Sequence, residues 1–300
     1  MRPVGTVVRA FKVRFLGPAA LFAAGLLTGC TPQATPDGST TDMATKPVKD
    51  FAMIRDLIPP PMATVMGVVK DEAGNVIKGL TLQGCSAATC LTTVIGMDGG
   101  FVISGLALTH LSVKLGEDET SMPRRGEAMV PLVLAKDGEV VDVGTIYAPT
   151  MGPGALVAAM AGAQTLSVGD GMMLTVVRGD LVAPLGGWTD SNSKPVPPFI
   201  IARRVTADHR AKTFDVGTDT TVIDSYSMMP FALTSKTPIG VTLTLPAKET
   251  PGTVVHLRTY AELDGTPNPV VNGTVGQDGL TVTVANGTGL NDMTWIIVSK

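Results

Sequence analysis

From residue 63 onward the chain is built of short runs of Val, Ile, Leu and Thr, broken every few residues by Gly, Asp, Asn or Pro. This pattern limits the fold more than any other feature. Val65-Met66-Gly67-Val68-Val69, Leu111-Ser112-Val113-Lys114-Leu115, Gly240-Val241-Thr242-Leu243-Thr244-Leu245 and Leu280-Thr281-Val282-Thr283-Val284 have the length and alternation of strands. The 34 glycines and 22 prolines supply turns between them. One helix-like stretch, Ala155–Ala161, is short and flanked by glycine. About 240 residues of this kind are enough for two domains with cores of their own. The expectation is an all-β chain with two β-sandwich domains in tandem, at 63–148 and 149–300.

The first thirty residues follow another rule. Arg2, Arg9, Lys12 and Arg14 precede an apolar run, Phe15–Leu27, with no acidic residue among them. That run falls short of the roughly 20 apolar residues a membrane helix needs and has the size of a signal-peptide core. It closes on Leu27-Thr28-Gly29-Cys30, which resembles the bacterial lipobox. The spacing alone establishes a small-residue cleavage site, which an ordinary secretory signal with an incidental cysteine also explains. The resemblance implies more: residues 1–29 are a removed signal peptide, and Cys30 carries the lipid (palmitate among its acyl chains) of a membrane-anchored lipoprotein. Thr31, where an aspartate would retain such a protein at the inner membrane, implies the outer membrane by analogy. Residues 30–62 then form the lipidated end and a tether. The Thr-, Pro- and Asp-rich stretch 31–50 has no hydrophobic period. Phe51–Ile58 fits either two helical turns or an extended segment, and both stay open.

Removing residues 1–29 takes away four of the 23 basic residues and no acidic one, leaving 19 against 26 and a formal charge of −7. An acidic surface repels phosphate backbones, so no nucleic-acid partner is expected. With Cys30 assigned to lipid, Cys85 and Cys90 are left to each other. In an exported chain a disulfide is favoured over metal binding, since no histidine lies near in sequence, and over a redox pair, since the spacing is not C-x-x-C.

Gly67-Val68-Val69-Lys70-Asp71-Glu72-Ala73-Gly74-Asn75-Val76-Ile77-Lys78-Gly79-Leu80-Thr81-Leu82 and Met97-Asp98-Gly99-Gly100-Phe101-Val102-Ile103-Ser104-Gly105-Leu106 together resemble the carboxypeptidase regulatory-like (transthyretin-like) domain. The likeness departs at Leu111, where that family places a tyrosine. It implies a scaffold without a zinc site, and none of His110, His209 or His256 is followed by a glutamate at the third position. Asp71 and Asp98 read as turn formers that bond nearby backbone amides, in preference to calcium ligands.

Residues 149–300 carry a hairpin pattern turning at Gly169-Asp170-Gly171 and later runs ending in Trp295-Ile296-Ile297-Val298-Ser299. Their order loosely resembles bacterial relatives of the β-sandwich domain of ankyrins and netrin receptors. Some of those relatives cleave themselves at His-Phe-Ser, which this chain lacks.

Little in the sequence points to catalysis. There is no Gly-x-Ser-x-Gly elbow and no phosphate- or dinucleotide-binding loop. Ser191-Asn192-Ser193-Lys194 matches Ser-x-x-Lys only in spacing. Asp215, Asp219 and Asp224 read as a solvated acidic loop rather than a calcium site. No catalytic residue, metal site or cofactor is expected. Trp188, in a loop after Gly186-Gly187, is the candidate platform for a sugar ring, although an anchor tucked onto the sandwich explains it more simply. The leading expectation is therefore a non-catalytic lipoprotein with a structural or protein-interaction role in the cell envelope. A carbohydrate- or peptidoglycan-binding module is the alternative, and a hydrolase the second alternative.

Overall fold

Asp71 closes the first turn as its sequence context suggests. Its Oδ1 accepts the amides of Ala73 (2.9 Å) and Asn75 (2.8 Å), and Gly74 takes φ +86°. Asp98 acts alike, accepting from the Gly100 amide at 2.9 Å beside Gly99 at φ +83°. The computed structural model describes residues 62–118, 123–183, 188, 197–219, 221–284 and 287–300. The signal segment, Cys30, the tether, Phe51–Ile58 and Ser191–Lys194 lie outside them.

The described chain is all β, with a single 3-10 turn at Arg178–Asp180. Among the described residues no helix is long and apolar enough to cross a membrane. The first half contains β1 (Met62–Asp71), β2 (Thr81–Cys85), β3 (Cys90–Val94), β4 (Gly100–Ala107), β5 (His110–Leu115), β6 (Arg124–Arg125), β7 (Ala128–Val133) and β8 (Val140–Ala148). Two sheets face each other, ordered β4-β1-β8 and β3-β2-β5-β7. The β1–β8 pair is parallel, and its register shifts between Met66 and Val68. The alternating apolar residues meet between the sheets: Val65, Val69, Phe101, Ile103 and Ile146 against Leu82, Leu111, Val113, Leu115 and Val130. Each such side chain contributes about 1.5–3 kcal/mol by leaving water.

The second half contains β9 (Thr150–Met151), β10 (Ala155–Leu156), β11 (Ala163–Gly169), β12 (Met172–Val177), β13 (Leu181–Val182), β14 (Phe199–Arg204), β15 (Val222–Met229), β16 (Leu233–Thr244), β17 (Val254–Arg258), β18 (Val271–Val275), β19 (Thr281–Val284), β20 (Leu290–Met293) and β21 (Trp295–Ser299). They run in the order β10-β14-β15-β21-β17-β18-β19-β16-β12-β11. Because β11 comes back against β14, this sheet curls round a core of its own. The long β16 makes the corner. Its first part pairs with β13 and β20, and its last part with β12 and β19. The expected hairpin at Gly169-Asp170-Gly171 is present as β11–β12.

The helix-like stretch is not a helix. Ala155–Leu156 pairs with β14, the Val157 amide donates to the Pro198 carbonyl, and the Ala158 amide to Gln164 Oε1. The backbone groups that a helix would satisfy internally are thus taken by neighbouring segments. A Cβ on Gly154 would meet Ile201 Cγ1 at 2.9 Å, so only glycine lets the chain run so close to β14.

Candidate binding cleft

The described residues, from Met62 onward, fall in one compact unit, and the side chains between the halves account for it. On β5, Leu111, Val113 and Leu115 point into their own core, so Ser112 and Lys114 face outward. They are nevertheless 0% and 4% exposed, because residues 262–265 of the second half lie over them. Ser112 Oγ–H donates to the carbonyls of Glu262 and Leu263, and Lys114 Nζ lies 2.7 Å from Glu262 Oε1. Arg203 of β14 reaches Glu72, beside the first turn, at 3.2 Å. A small apolar cluster fills the seam: Met129, Val205, Phe214, Phe231, Tyr260, Trp295 and Ile297. Phe214 stacks on Trp295 (centroids 5.3 Å) and meets Tyr260 edge-on (4.7 Å).

This seam positions a loop. Val205 (3% exposed) and Phe214 (6%) are buried at its two ends, so the intervening residues are held at both anchors. Between them the amides of His209 and Arg210 both donate to the Thr206 carbonyl, and Ala211 packs against the cores on both sides. The loop overhangs the edge strands β7 and β8 and encloses a cleft of about 490 Å³, a size within the usual range for small-molecule sites. Its floor is apolar, with Met129, Leu132, Val141 and Trp295; its rim carries Tyr147, Asp208, His209, Arg210 and Lys212.

The rim is ordered. The rings of Tyr147 and His209 stack with centroids 4.1 Å apart at 26°. The two rim and wall carboxylates are occupied. Asp142 Oδ1 accepts the Gly144 amide at 2.8 Å. Asp208 accepts from the Thr206 hydroxyl and nearby amides, which hold its carboxyl below the usual range. The cations are not. Arg210 is half-buried, and its guanidinium makes no hydrogen bond or ion pair with another described residue. Burial pulls its pKa below the ordinary arginine value, with Tyr260 and then the charge of Asp224 acting the other way. Its donors therefore remain available, at the edge of an apolar cavity that makes a charge-assisted bond stronger than in water.

The residues singled out by sequence lie elsewhere. Cys85 and Cys90 form a disulfide (S–S 2.11 Å, Cα–Cα 4.0 Å) that closes the β2–β3 hairpin. Trp188 is half-buried, packs against the core of the second half and meets Phe199 edge-on at 6.3 Å. It lies outside the cleft. Of the acidic group around Gly217, Asp215 is exposed and its Oδ1 accepts the Gly217 amide at 2.7 Å, as in a solvated turn, but Asp219 and Asp224 are not solvated. Asp224 is 5% exposed on β15, where Arg204 and the Tyr226 hydroxyl both donate to it. Burial raises its pKa, against the pull of Arg204. Asp219 accepts from Arg258 (2.5 Å) and Ser299 (2.5 Å), and its Oδ1 lies 2.8 Å from His256 Nδ1. Burial alone would raise its pKa, but the bonds from Ser299, Arg258 and His256 outweigh this and hold it well below the carboxylate range. His256 therefore meets an acid, while the neighbouring hydroxyl, Ser299, bonds that acid and Arg258 instead of the imidazole. No nucleophile–base pair results. Among the described residues no three His, Cys, Asp or Glu side chains gather in a metal-holding group.

Sequence reasoning missed Arg210 and Tyr147. The only local signal was two apolar anchors, Val205 and Phe214, bracketing a polar stretch with His209, Arg210 and Lys212.

No protein-family model matches the chain, and no curated protein matches it. Two solved structures are similar to it at 11% identity. One is a DUF3823 family protein from Parabacteroides merdae, covering 80% of this chain and all of that one (TM-score 0.21). The other is a "putative carbohydrate binding protein" from Bacteroides uniformis, covering 72% of this chain and 99% of that one (TM-score 0.23). At such TM-scores the likeness carries no argument about this chain's site.

Proposed function

We propose that this chain is a lipid-anchored protein of the bacterial envelope that binds rather than catalyses, and that its recognition site is the cleft between the two halves. Cys30 is the anchor in this reading, on the strength of the basic start, the short apolar run and Leu27-Thr28-Gly29-Cys30. The tether of residues 31–50 holds the folded part away from the outer membrane. The regulatory-like resemblance of residues 67–106 fits a scaffold role.

One observation carries the binding reading: a half-buried arginine that makes no hydrogen bond or ion pair with another described residue, on a rim above an apolar cavity. Keeping such a cation from its acceptors is costly in a structural role and useful in recognition. Among the described residues His256 bonds the Asp219 carboxylate through Nδ1 and no hydroxyl bonds its imidazole, which favours binding over hydrolysis.

The test is retention of the purified protein on envelope glycans and on detergent-solubilised envelope proteins, with Tyr147→Ala and Trp188→Ala in parallel. Retention lost in Tyr147→Ala and kept in Trp188→Ala supports the cleft. Retention that survives Tyr147→Ala but not Trp188→Ala places recognition at the loop tryptophan and contradicts it.

A further inference from the structure

The cleft is bounded by two sheet edges, so a peptide added as an extra strand is the first occupant to consider. The β8 edge resists it. Gly144 sits at φ +70° where the β1–β8 register shifts, and such an irregularity breaks the even ladder that a new strand must match. The side chains suit a different ligand. A stacked Tyr147–His209 pair offers a flat, partly polar wall. An apolar floor faces it. Arg210 presents a planar fork of donors, and Lys212 an exposed ammonium three residues after His209.

Resting on the binding role given to this cleft, we infer that it takes a small saccharide bearing a carboxylate, of the uronic-acid class. Arg210 engages the carboxylate through two parallel N–H donors, the geometry in which guanidinium and carboxylate fit best. Lys212 adds a point charge at the mouth. The sugar ring lies along Tyr147 and His209 with its C–H face against the apolar floor, while its hydroxyls meet the unpaired backbone groups of the β7 and β8 edges. Neutral sugars lose the guanidinium contact and leave its charge uncompensated. Free inorganic anions lose the ring contacts. The mature chain's net charge of −7 sharpens the choice, because an anion is drawn only where cations are concentrated and unpaired.

Calorimetric titration of the intact folded protein tests this with four probes: digalacturonate, its neutral galactose counterpart, inorganic phosphate and an acidic hexapeptide. Digalacturonate is expected to bind about tenfold or more tightly than the other three, the size of effect a charge-assisted bidentate contact supplies. Arg210→Gln is expected to remove that advantage, with Arg210→Lys intermediate. Both variants are expected to keep the thermal midpoint, since the guanidinium makes no hydrogen bond or ion pair with another described residue. Equal binding of the neutral disaccharide overturns the carboxylate assignment while leaving the cleft as the site. Phosphate binding as tight as digalacturonate overturns the sugar assignment. A tighter peptide overturns both in favour of strand addition. Failure of all four probes overturns the ligand class, and envelope retention in wild type against Tyr147→Ala still judges the cleft separately.

Discussion

The indole Nε1–H of Trp295 donates to the backbone carbonyl of Glu127 at 3.1 Å, joining residues 168 apart in sequence. Ser227 Oγ–H donates to the same carbonyl at 3.3 Å. The strand that ends the second half is thereby fixed to the first half where Phe214 stacks, and this fixes the loop over the cleft.

Trp295 is 1% exposed, so Trp295→Ala loses both packing and the bond. It is expected to destabilise the protein by about 3–5 kcal/mol. Trp295→Phe keeps most of the packing and leaves Ser227 as donor, so it should cost about 1–2 kcal/mol. Urea unfolding followed by circular dichroism measures both. A loss below 1 kcal/mol for alanine would show that the seam is not held there.

Glu127 itself is buried, and its Oε1 has no hydrogen-bond partner. Burial raises its pKa well above the carboxylate range, with Lys114 pulling it down and Glu262 and Glu117 adding to the rise. The folded state therefore keeps a proton that the unfolded chain releases. Stability is full below the ordinary carboxylate pKa and falls as pH climbs from there toward the raised folded value. Glu127→Gln should flatten this decline and stabilise the protein at pH 8 relative to wild type. Parallel decline in both proteins between pH 5 and 8 would assign the effect to another group.

Asp219 behaves in the opposite sense. Its depressed folded pKa makes a contribution that is present above the ordinary carboxylate pKa and lost as pH falls below about 4. Asp219→Asn weakens its bonds to Arg258 and His256, and is expected to cost about 2 kcal/mol at pH 7 and somewhat less at pH 3, where the contribution is only partly lost because the folded carboxyl is still ionised. Thermal midpoints at the two pH values check it; equal losses at both would contradict the assignment.

The Cys85–Cys90 bridge closes a short hairpin with a sequence separation of 5. Loop-closure entropy for so short a loop gives about 2 kcal/mol. Cys85→Ala with Cys90→Ala should lower stability by that amount and leave binding at the cleft unchanged, because the bridge does not line it. Loss of binding in this variant would place the hairpin in the site.

Strand positions were legible wherever one face of a sheet meets a core. Leu111, Val113 and Leu115 alternate in the sequence as they do in β5. The same alternation assigns Ser112 and Lys114 to solvent, and here it misleads, because a partner surface arrives from residues 262–265, some 150 positions later. Asp219 and Asp224 looked like a loose acidic loop for the same reason. Their cations, Arg258 and Arg204, sit on other strands, and only the folded sheet brings them together. The cleft was the least legible part. Its aromatic, Tyr147, lies on an edge strand of the first half, and its cations lie on a loop of the second. No local pattern links 147 to 209.

Hydrogen exchange measured with and without oligosaccharides released from bacterial envelopes tests the cleft most directly. Slower exchange is expected at residues 141–147 and 206–213 on ligand addition, absent in Tyr147→Ala. Protection centred on Trp188 and Phe199, with residues 206–213 unchanged, would contradict it.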